Sequence, residues 1–548
     1  MAEAVKNSIF ISILLRFGKA FYRWWQHSLL CRFGQQWGVW YSSSCTRRIW
    51  RAFLEVADYS RHSLYARLMA FFRRLLRGIG IALQDSCCYR LLMRLKALWL
   101  KLGQGSAVCG LITALSPRQW LLFAFGMYLP LEYIIRDVLS IGILSSLWEE
   151  LFILIAAAMV VWNLMLDKED TRRETPLDMF IILFMAVGLL LASIVCPVKY
   201  IAIAGYRAQV EYMVWFFLII RLLRDDKDFR VLYAALFATL VFLTFHGIWQ
   251  FVIGVEIPDA WVTDSEVGVR TRVYSLTGSP NILGSLLVLL APLSAGLIYY
   301  CRRPAAKAAA FGFTCLIFGC LLFTFSRGAW VGMIVTVTVF ALYLDKRLLA
   351  LMGSAMAAVL LAVPSITSRI TFLFTEEYRA ASALGGRAMR WATGRQLLAE
   401  SDPLLGFGLG RFGGAVAMQN QVLDVTETFR YFYMDNYYLK TLVEMGWLGL
   451  GFFLLMMVML VIWGMRAIDR SDVGFGSGDA LLRGIGNYRV LAVSLWSGLC
   501  GVLVHCYFEN IFEEPYMMAY FWGVAAMLLY LGFFRRGGCI NNKKEQQL

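Results

Sequence analysis

Several arginines in this chain stand where a guanidinium has little to do except meet an anion. Arg327 lies in Thr324-Phe-Ser-Arg-Gly-Ala-Trp330, at the junction of two long apolar segments, where a lone charge is costly. A cation at the start of the second segment opposes the helix dipole, so something anionic is expected beside it. A phosphate group can be met there by the guanidinium and by free helix N–H groups together. A snorkelling arginine, or one paired with a nearby acid, is the alternative. Arg270 and Arg272 stand in Val269-Arg-Thr-Arg-Val-Tyr-Ser-Leu-Thr-Gly-Ser-Pro-Asn281, just before another apolar run, and Arg207 lies at the edge of a further one. A long polar insert carries Gly406-Phe-Gly-Leu-Gly-Arg-Phe-Gly-Gly414, which contains Arg411, and then Asp435-Asn-Tyr-Tyr-Leu-Lys-Thr-Leu-Val-Glu-Met-Gly446. The glycines would let backbone N–H groups approach a phosphate or a sugar, or would simply make a tight turn. No strand precedes them and no βαβ unit surrounds them, so the glycine run fails as a dinucleotide fingerprint. Asp435 or Asn436 is suited to cap the helix that begins at Tyr437.

The elements that position these residues are read from hydropathy. The 548-residue chain is 59% hydrophobic, with mean hydropathy +0.63 and only 16% charged residues, against about 25% in soluble proteins. Ile282 to Tyr300 is a typical charge-free run, near the ~20 residues that cross a bilayer as helix. Helix is the expected form because it satisfies its own backbone in lipid. About twelve spans are expected, at 119–138, 146–166, 177–196, 209–223, 229–253, 280–300, 306–325, 328–345, 347–365, 437–465, 488–508 and 515–534. The segment 437–465 contains Gly446 and Gly449, which suits a short helix that enters, bends and then crosses. The fold class is therefore an all-α polytopic membrane protein with a large helical external loop at 366–436.

Charge divides the chain in two. Residues 1–118 hold 18 Lys/Arg against 4 Asp/Glu, whereas the remainder holds 34 against 33. Residues 1–117 read as short basic amphipathic helices on an anionic cytoplasmic membrane surface, with membrane lipids as their partner. Their aromatics fall on helical faces and no recognition motif appears, so no nucleic acid partner is expected. Residues 118–548 form the transmembrane domain. Its Lys/Arg clusters at 168–173, 221–230, 302–307, 346–347, 466–489 and 535–544 fall on alternate loops, which places them and both termini in the cytoplasm. The outside then receives the loops 254–279 and 366–436. The second has seven arginines, seven acids and no lysine, a pattern suited to bidentate pairing with phosphate or to ion pairs within the loop. Twelve cysteines without a CxxC pair, and four histidines, give no metal-site spacing. No cleavable leader is evident at the amino terminus.

An arginine at a membrane face, a glycine-rich outer loop and a returning Asp-Asn pair resemble the O-antigen ligase and polymerase family over roughly residues 200–530. The resemblance implies a GT-C-like integral-membrane glycosyltransferase of the bacterial cytoplasmic membrane. Its donor would be a polyprenyl-pyrophosphate-linked glycan and its acceptor a hydroxyl of a glycan or lipid-linked saccharide, transferred with inversion and without a metal or other cofactor. In the family an outer-loop arginine followed by Gly-x-Pro-Asn helps bind the donor. Gly278-Ser-Pro-Asn281 matches that turn, so Asn281 with Arg272 or Arg270 is a candidate donor site, and Arg207 a weaker one. Arg327 would steady the pyrophosphate. Many relatives have His-Asn where this chain has Asp435-Asn436, the histidine being the candidate activator of the acceptor; a carboxylate can also act as a general base. The departure tilts the reading from ligase toward polymerase or another acceptor class. His505, Glu509, Asn510, Glu513 and Glu514 would line the acceptor site, bind a cation, or simply mark a polar outer face. A transporter of an anion or of a lipid-linked sugar is the rival class. Transporters favour charges and broken helices at the midplane, whereas the charges here lie near span ends.

Overall fold

The computed structural model describes residues 64–102, 106–140, 142–166, 173–256, 271–383, 386–421, 431–471 and 488–535, with a few isolated positions before residue 64. Among these the chain is helical, and the sole β-type pairing is one bridge, Asp402 to Gly406. The elements used below are α1 (Leu64–Gln84), α2 (Cys87–Leu102), α3 (Pro117–Gly126), α4 (Gly142–Leu166), α5 (Asp178–Ile194), α6 (Lys199–Val210), α7 (Val214–Leu222), α8 (Asp226–Ile253), α9 (Pro280–Tyr300), α10 (Pro304–Phe323), α11 (Arg327–Tyr343), α12 (Arg347–Ala362), α13 (Arg387–Glu400), α14 (Tyr437–Ser471), α15 (Tyr488–His505) and α16 (Pro515–Phe533). Seven helices among the described residues are long and apolar enough to cross a membrane: Ser145–Leu166 within α4, and α8, α9, α10, α14, α15 and α16. These coincide with seven of the expected spans.

The other expected spans differ in detail. α5 and α11 are apolar but shorter, and α12 turns by 100° into the next helical segment. That turn follows from Pro364, which pushes Val363 into the extended region (φ −121°, ψ 90°) and starts a new helix. The expected span 119–138 is α3 followed by Tyr128–Tyr133 and a π-type turn, Ile134–Leu139. In place of a single span at 209–223, α6 runs from Lys199 through a 3-10 turn at Glu211–Met213 into α7. Arg207 therefore lies in the last turn of α6 and not at the start of a span.

α9 is the central post, buried along most of its length between α15, α10 and α11. Glycines let the backbones close up: a Cβ on Gly498 would lie 2.2 Å from Leu289 O, and one on Gly501 1.8 Å from Thr336 Oγ1. Close approach of this kind supplies the van der Waals attraction that holds helices together in lipid. It also fixes α9, α11 and α15 relative to one another, and those three carry Asn281, Arg327 and His505.

The polar ends sort into two groups. At one end Asp226 accepts from Tyr488 Oη (2.9 Å) and Arg535 Nε (3.1 Å), and Arg118 pairs with Asp228 at 2.9 Å. At the other end residues 272–281, 324–328, 387–391, 435–437 and 505–514 meet.

α14 is broken at Gly446 (φ 63°, ψ −171°). The break would orphan backbone groups, and residues 403–408 satisfy them. Phe407 N donates to Val443 O (2.7 Å) and Gly408 N to Glu444 O (3.1 Å), while Trp447 N and Leu448 N donate to Pro403 O (2.9 Å) and Leu404 O (3.0 Å). The insert is thus a backbone splint across the bend. Only glycine fits it, because a Cβ on Gly446 would lie 2.2 Å from Leu404 O and one on Gly406 2.4 Å from Gly446 N.

α1 packs on α4, with Gly80 against the Met165 backbone. Tyr65 Oη donates to Asp178 Oδ2 (3.0 Å), and Arg73 pairs with Glu174. Phe71, Phe72, Leu75, Ile79 and Ile81 stay exposed on α1.

Candidate functional site

Arg327 opens α11 after a tight turn. Phe325 is left-handed (φ 52°), and Ser326 N is held by Thr324 Oγ1 at 3.2 Å. A bulky residue in this region is a strained choice; here it swings the chain so that the helix starts with its arginine at the rim. The Arg327 guanidinium carbon lies 5.5 Å from the centre of the Tyr378 ring. Beside it, Gly328 packs against Phe508 and His505; an added Cβ would lie 2.7 Å from Phe508 Cβ and 2.9 Å from His505 Cδ2.

Arg272 joins two turns. It is buried, and its Nε donates to Thr324 O (3.0 Å), while Val273 N donates to Phe323 O (3.2 Å). Its Nη2 reaches Asn281 Oδ1 at 3.3 Å, and Asn281 Nδ2 donates to Glu509 Oε2 at 2.5 Å. The Gly-Ser-Pro-Asn turn thus hands a donor from the arginine to a carboxylate. Arg270 lies outside the described residues.

Asp435 has both carboxylate oxygens engaged. Arg387 Nε donates to Oδ2 (2.7 Å) and Trp391 Nε1 to Oδ1 (2.9 Å). Arg387 also gives its Nη2 to Phe508 O (2.8 Å), so Arg387 and Gly328 address the same residue. Asn436 is the helix cap: its Oδ1 accepts from Leu439 N at 3.0 Å. Of the two residues weighed for that role, Asn436 performs it.

Beneath lies a buried polar layer. Ser285 Oγ and His505 Nδ1 are 2.8 Å apart. Glu509 follows α15 and is partly buried. Burial pushes its carboxyl up to about 7, Arg387 opposing the rise and Asp435 adding to it. Burial also raises Glu513, against the pull of Lys440, and carries Glu514 to about 7 with Glu513 adding to the rise.

Several N–H groups of the glycine run are taken by the protein's own acceptors. Glu444 Oε1 accepts from Gly410 N (2.9 Å) and Phe412 N (3.2 Å), and its other oxygen pairs with Lys440 Nζ at 2.9 Å. Glu513 accepts from Ala415 N and from Asn510 Nδ2. Arg411 turns back on its own loop, with Nη1 on Phe407 O (2.8 Å) and its guanidinium 4.1 Å from the Phe407 ring centre. Arg207 pairs with Glu150, and with Glu211 at 2.6 Å. Leu398, Phe412, Met434 and Val443 form a small core that seats α13 on α14, with Trp391 against it.

The structure therefore brings Arg327, Arg272, Asn281, Asp435 and Asn436 to one end of the bundle. Arg207 and Arg411 are engaged in pairs and loop contacts of their own. Arg387, Trp391, Lys440 and Glu444 were not singled out from sequence. For Arg387 the signal was faint, one of seven arginines in a lysine-free loop. Glu427 lies outside the described residues. Among the described residues no group of three His, Cys, Asp or Glu side chains is arranged to hold a metal ion.

No curated protein matches the chain in a sequence comparison. A family model described as O-antigen ligase matches residues 311–454, from within α10, through the splint and α13, to just beyond the break in α14. Set in an all-helical membrane bundle, this segment is similar to the O-antigen ligase family.

Proposed function

We propose that the protein transfers a saccharide from a polyprenyl-pyrophosphate donor to a hydroxyl of a second glycan or lipid-linked saccharide, at the outer face of the bacterial cytoplasmic membrane. The observation that carries this reading is the convergence of Arg327, Arg387 and Arg272 with Asp435 and Glu509 at one end of a ligase-type membrane bundle. The pyrophosphate leaving group accumulates charge as the glycosidic bond breaks, and fixed guanidinium groups at a low-dielectric rim lower that barrier. Arg327, half-buried where α11 opens, is placed for this contact; Arg272 holds the turn that presents it. One direct displacement inverts the anomeric centre. The topology that goes with the reading has about twelve spans, both termini in the cytoplasm, and residues 1–117 as a membrane-surface arm. The paired charges at the rim favour this over transport, for which a charged site at mid-depth is the usual arrangement.

The test is transfer by the purified protein in lipid nanodiscs, with a polyprenyl-pyrophosphate oligosaccharide as donor and either a second such molecule or a surface glycolipid as acceptor. Arg327→Ala is expected to lose about 10²–10³-fold in rate while still accumulating in the membrane. Arg327→Lys is expected to recover little, because a point charge does not reproduce the planar fork. Unchanged polymer from Arg327→Ala would remove Arg327 from the mechanism.

A further inference from the structure

Asp435 occupies the position at which the family resemblance places the acceptor-activating group, yet its surroundings suit another task. A general base needs an oxygen free to receive a proton and a protonation equilibrium near working pH. Both Asp435 oxygens are taken, one by a guanidinium at 2.7 Å and one by an indole N–H at 2.9 Å. An acceptor hydroxyl would have to compete with one of these donors to reach either oxygen. A second carboxylate stands at the same end of the bundle. Glu509 leaves α15 just beyond His505, one residue after the Phe508 carbonyl that Arg387 grips. Its Oε2 receives Asn281 Nδ2 at 2.5 Å, and Asn281 is itself oriented by Arg272. The Asn281 amide and the Asn510 backbone N–H hold this carboxylate, with the Arg387 charge nearby, whereas a guanidinium and an indole bond directly to the other.

The geometry points to Glu509 as the general base that activates the acceptor hydroxyl, with Asn281 as its positioning residue and Asp435 as the group that holds Arg387 in place. This rests on the glycosyl-transfer reading above. In the step, the Glu509 carboxylate takes the acceptor hydroxyl proton as the acceptor oxygen bonds to the anomeric carbon. The bond from that carbon to the pyrophosphate oxygen breaks, and its electron pair leaves with the polyprenyl pyrophosphate. The proton passes from Glu509 to solvent before the next turnover. The partial burial that pushes the Glu509 carboxyl up to about 7 supports the role, since its protonation equilibrium then lies near neutral pH, where a base is most effective. The charged and titratable groups around it are Arg387 from α13, Asp435 before α14 and His505 at the end of α15, with Arg272 acting through Asn281.

The experiment is the nanodisc transfer assay followed as a function of pH, with an undecaprenyl-pyrophosphate oligosaccharide as donor and the two acceptors in parallel. Wild-type kcat is expected to fall as pH drops through about 7, because the base is lost on protonation. Glu509→Gln is expected to lower kcat by about 10²–10⁴-fold with little change in donor KM, and to abolish that acid limb. Asn281→Ala removes a donor to the ionised form and so moves the limb to higher pH. A Glu509→Gln enzyme that keeps kcat within about threefold and retains the limb overturns the assignment. Should that variant not accumulate, an unmoved limb in Asn281→Ala overturns it equally. No transfer by the wild type with either acceptor refutes the glycosyl-transfer reading itself, which is a different result.

Discussion

The splint across Gly446 predicts a sharp contrast between two glycine-to-alanine changes in one helix. At Gly446 an alanine must adopt φ 63°, where a Cβ would sit 2.2 Å from Leu404 O. The left-handed conformation costs ~1–2 kcal/mol. The collision is with backbone, so relief means moving residues 403–408 away from the bend. That loses the four hydrogen bonds that bridge it, each worth ~0.5–1.5 kcal/mol. Together the cost is about 3–8 kcal/mol, a large share of the ~5–15 kcal/mol by which folded proteins are stable. Gly451, on the crossing part of the same helix, has open space where a Cβ would go. Alanine there is expected to be neutral or to gain up to about 1 kcal/mol. Both variants are to be purified in one detergent, heated in steps and scored for the monodisperse fraction by size exclusion. Gly446→Ala is expected to lose half its monodisperse protein about 5–15 °C below wild type, and its transfer activity with it. Equal midpoints for the two variants would refute the splint, because the same substitution would then be harmless at a site said to exclude it.

Other outcomes follow from contacts at the two ends. Asp435→Asn is expected to loosen α13 at a cost near ~1 kcal/mol after screening, seen as faster hydrogen exchange over 387–400; unchanged exchange there would detach Arg387 from Asp435. Asn436→Ala should cost ~0.5–2 kcal/mol as a lost cap, measured as a lower unfolding midpoint, whereas Asp435→Ala should leave the cap intact. Deleting residues 2–62 is expected to preserve folding and transfer, but deleting 2–105 also strips α1 from α4 and removes Tyr65 and Arg73 from Asp178 and Glu174, so its melting midpoint should fall measurably further; equal midpoints would make α1 a passive attachment. Reporter fusions after residues 226, 305, 346 and 475 should read cytoplasmic, and those at 265 and 400 external. An external reading at 346 would invert the side on which Arg327 lies.

Hydropathy and charge carried most of the architecture, because lipid allows few ways of hiding a backbone. The seven long apolar helices, the separation of basic ends from the arginine rim, and the bend at Gly446 all follow from one-dimensional patterns. What hydropathy could not decide was length against path. α5, α11 and α12 are apolar yet short, and Pro364 turns the chain close to the expected end of the span at 347–365. The site was legible where its residues sit next to a span end, as Arg327, Asn281 and Asp435 do. It was not legible where partners come together across the chain. Arg387 meets Asp435 from 48 positions away, and nothing local marks it among its neighbours. The glycine run was open to two readings, a cradle for a ligand or a tight turn. Its N–H groups do face carboxylates, but those of Glu444 and Glu513 and not an incoming phosphate. Donor-rich glycine loops bind whichever anion the fold supplies, and here the protein supplies its own.

The Glu513 contact also sets an order of manufacture. The splint and the loop behind it are anchored by a residue made almost 100 positions later, since Ala415 N is held by Glu513. Asn281 waits longer still, 228 residues, for Glu509. A ribosome releasing this chain into a membrane already stocked with donor would thus lay down the arginine rim well before the carboxylate that completes it. On the glycosyl-transfer reading proposed above, a chain arrested near residue 480 lacks Glu509 and is expected to make no transfer product, which an assay of the arrested complex with donor and acceptor would check.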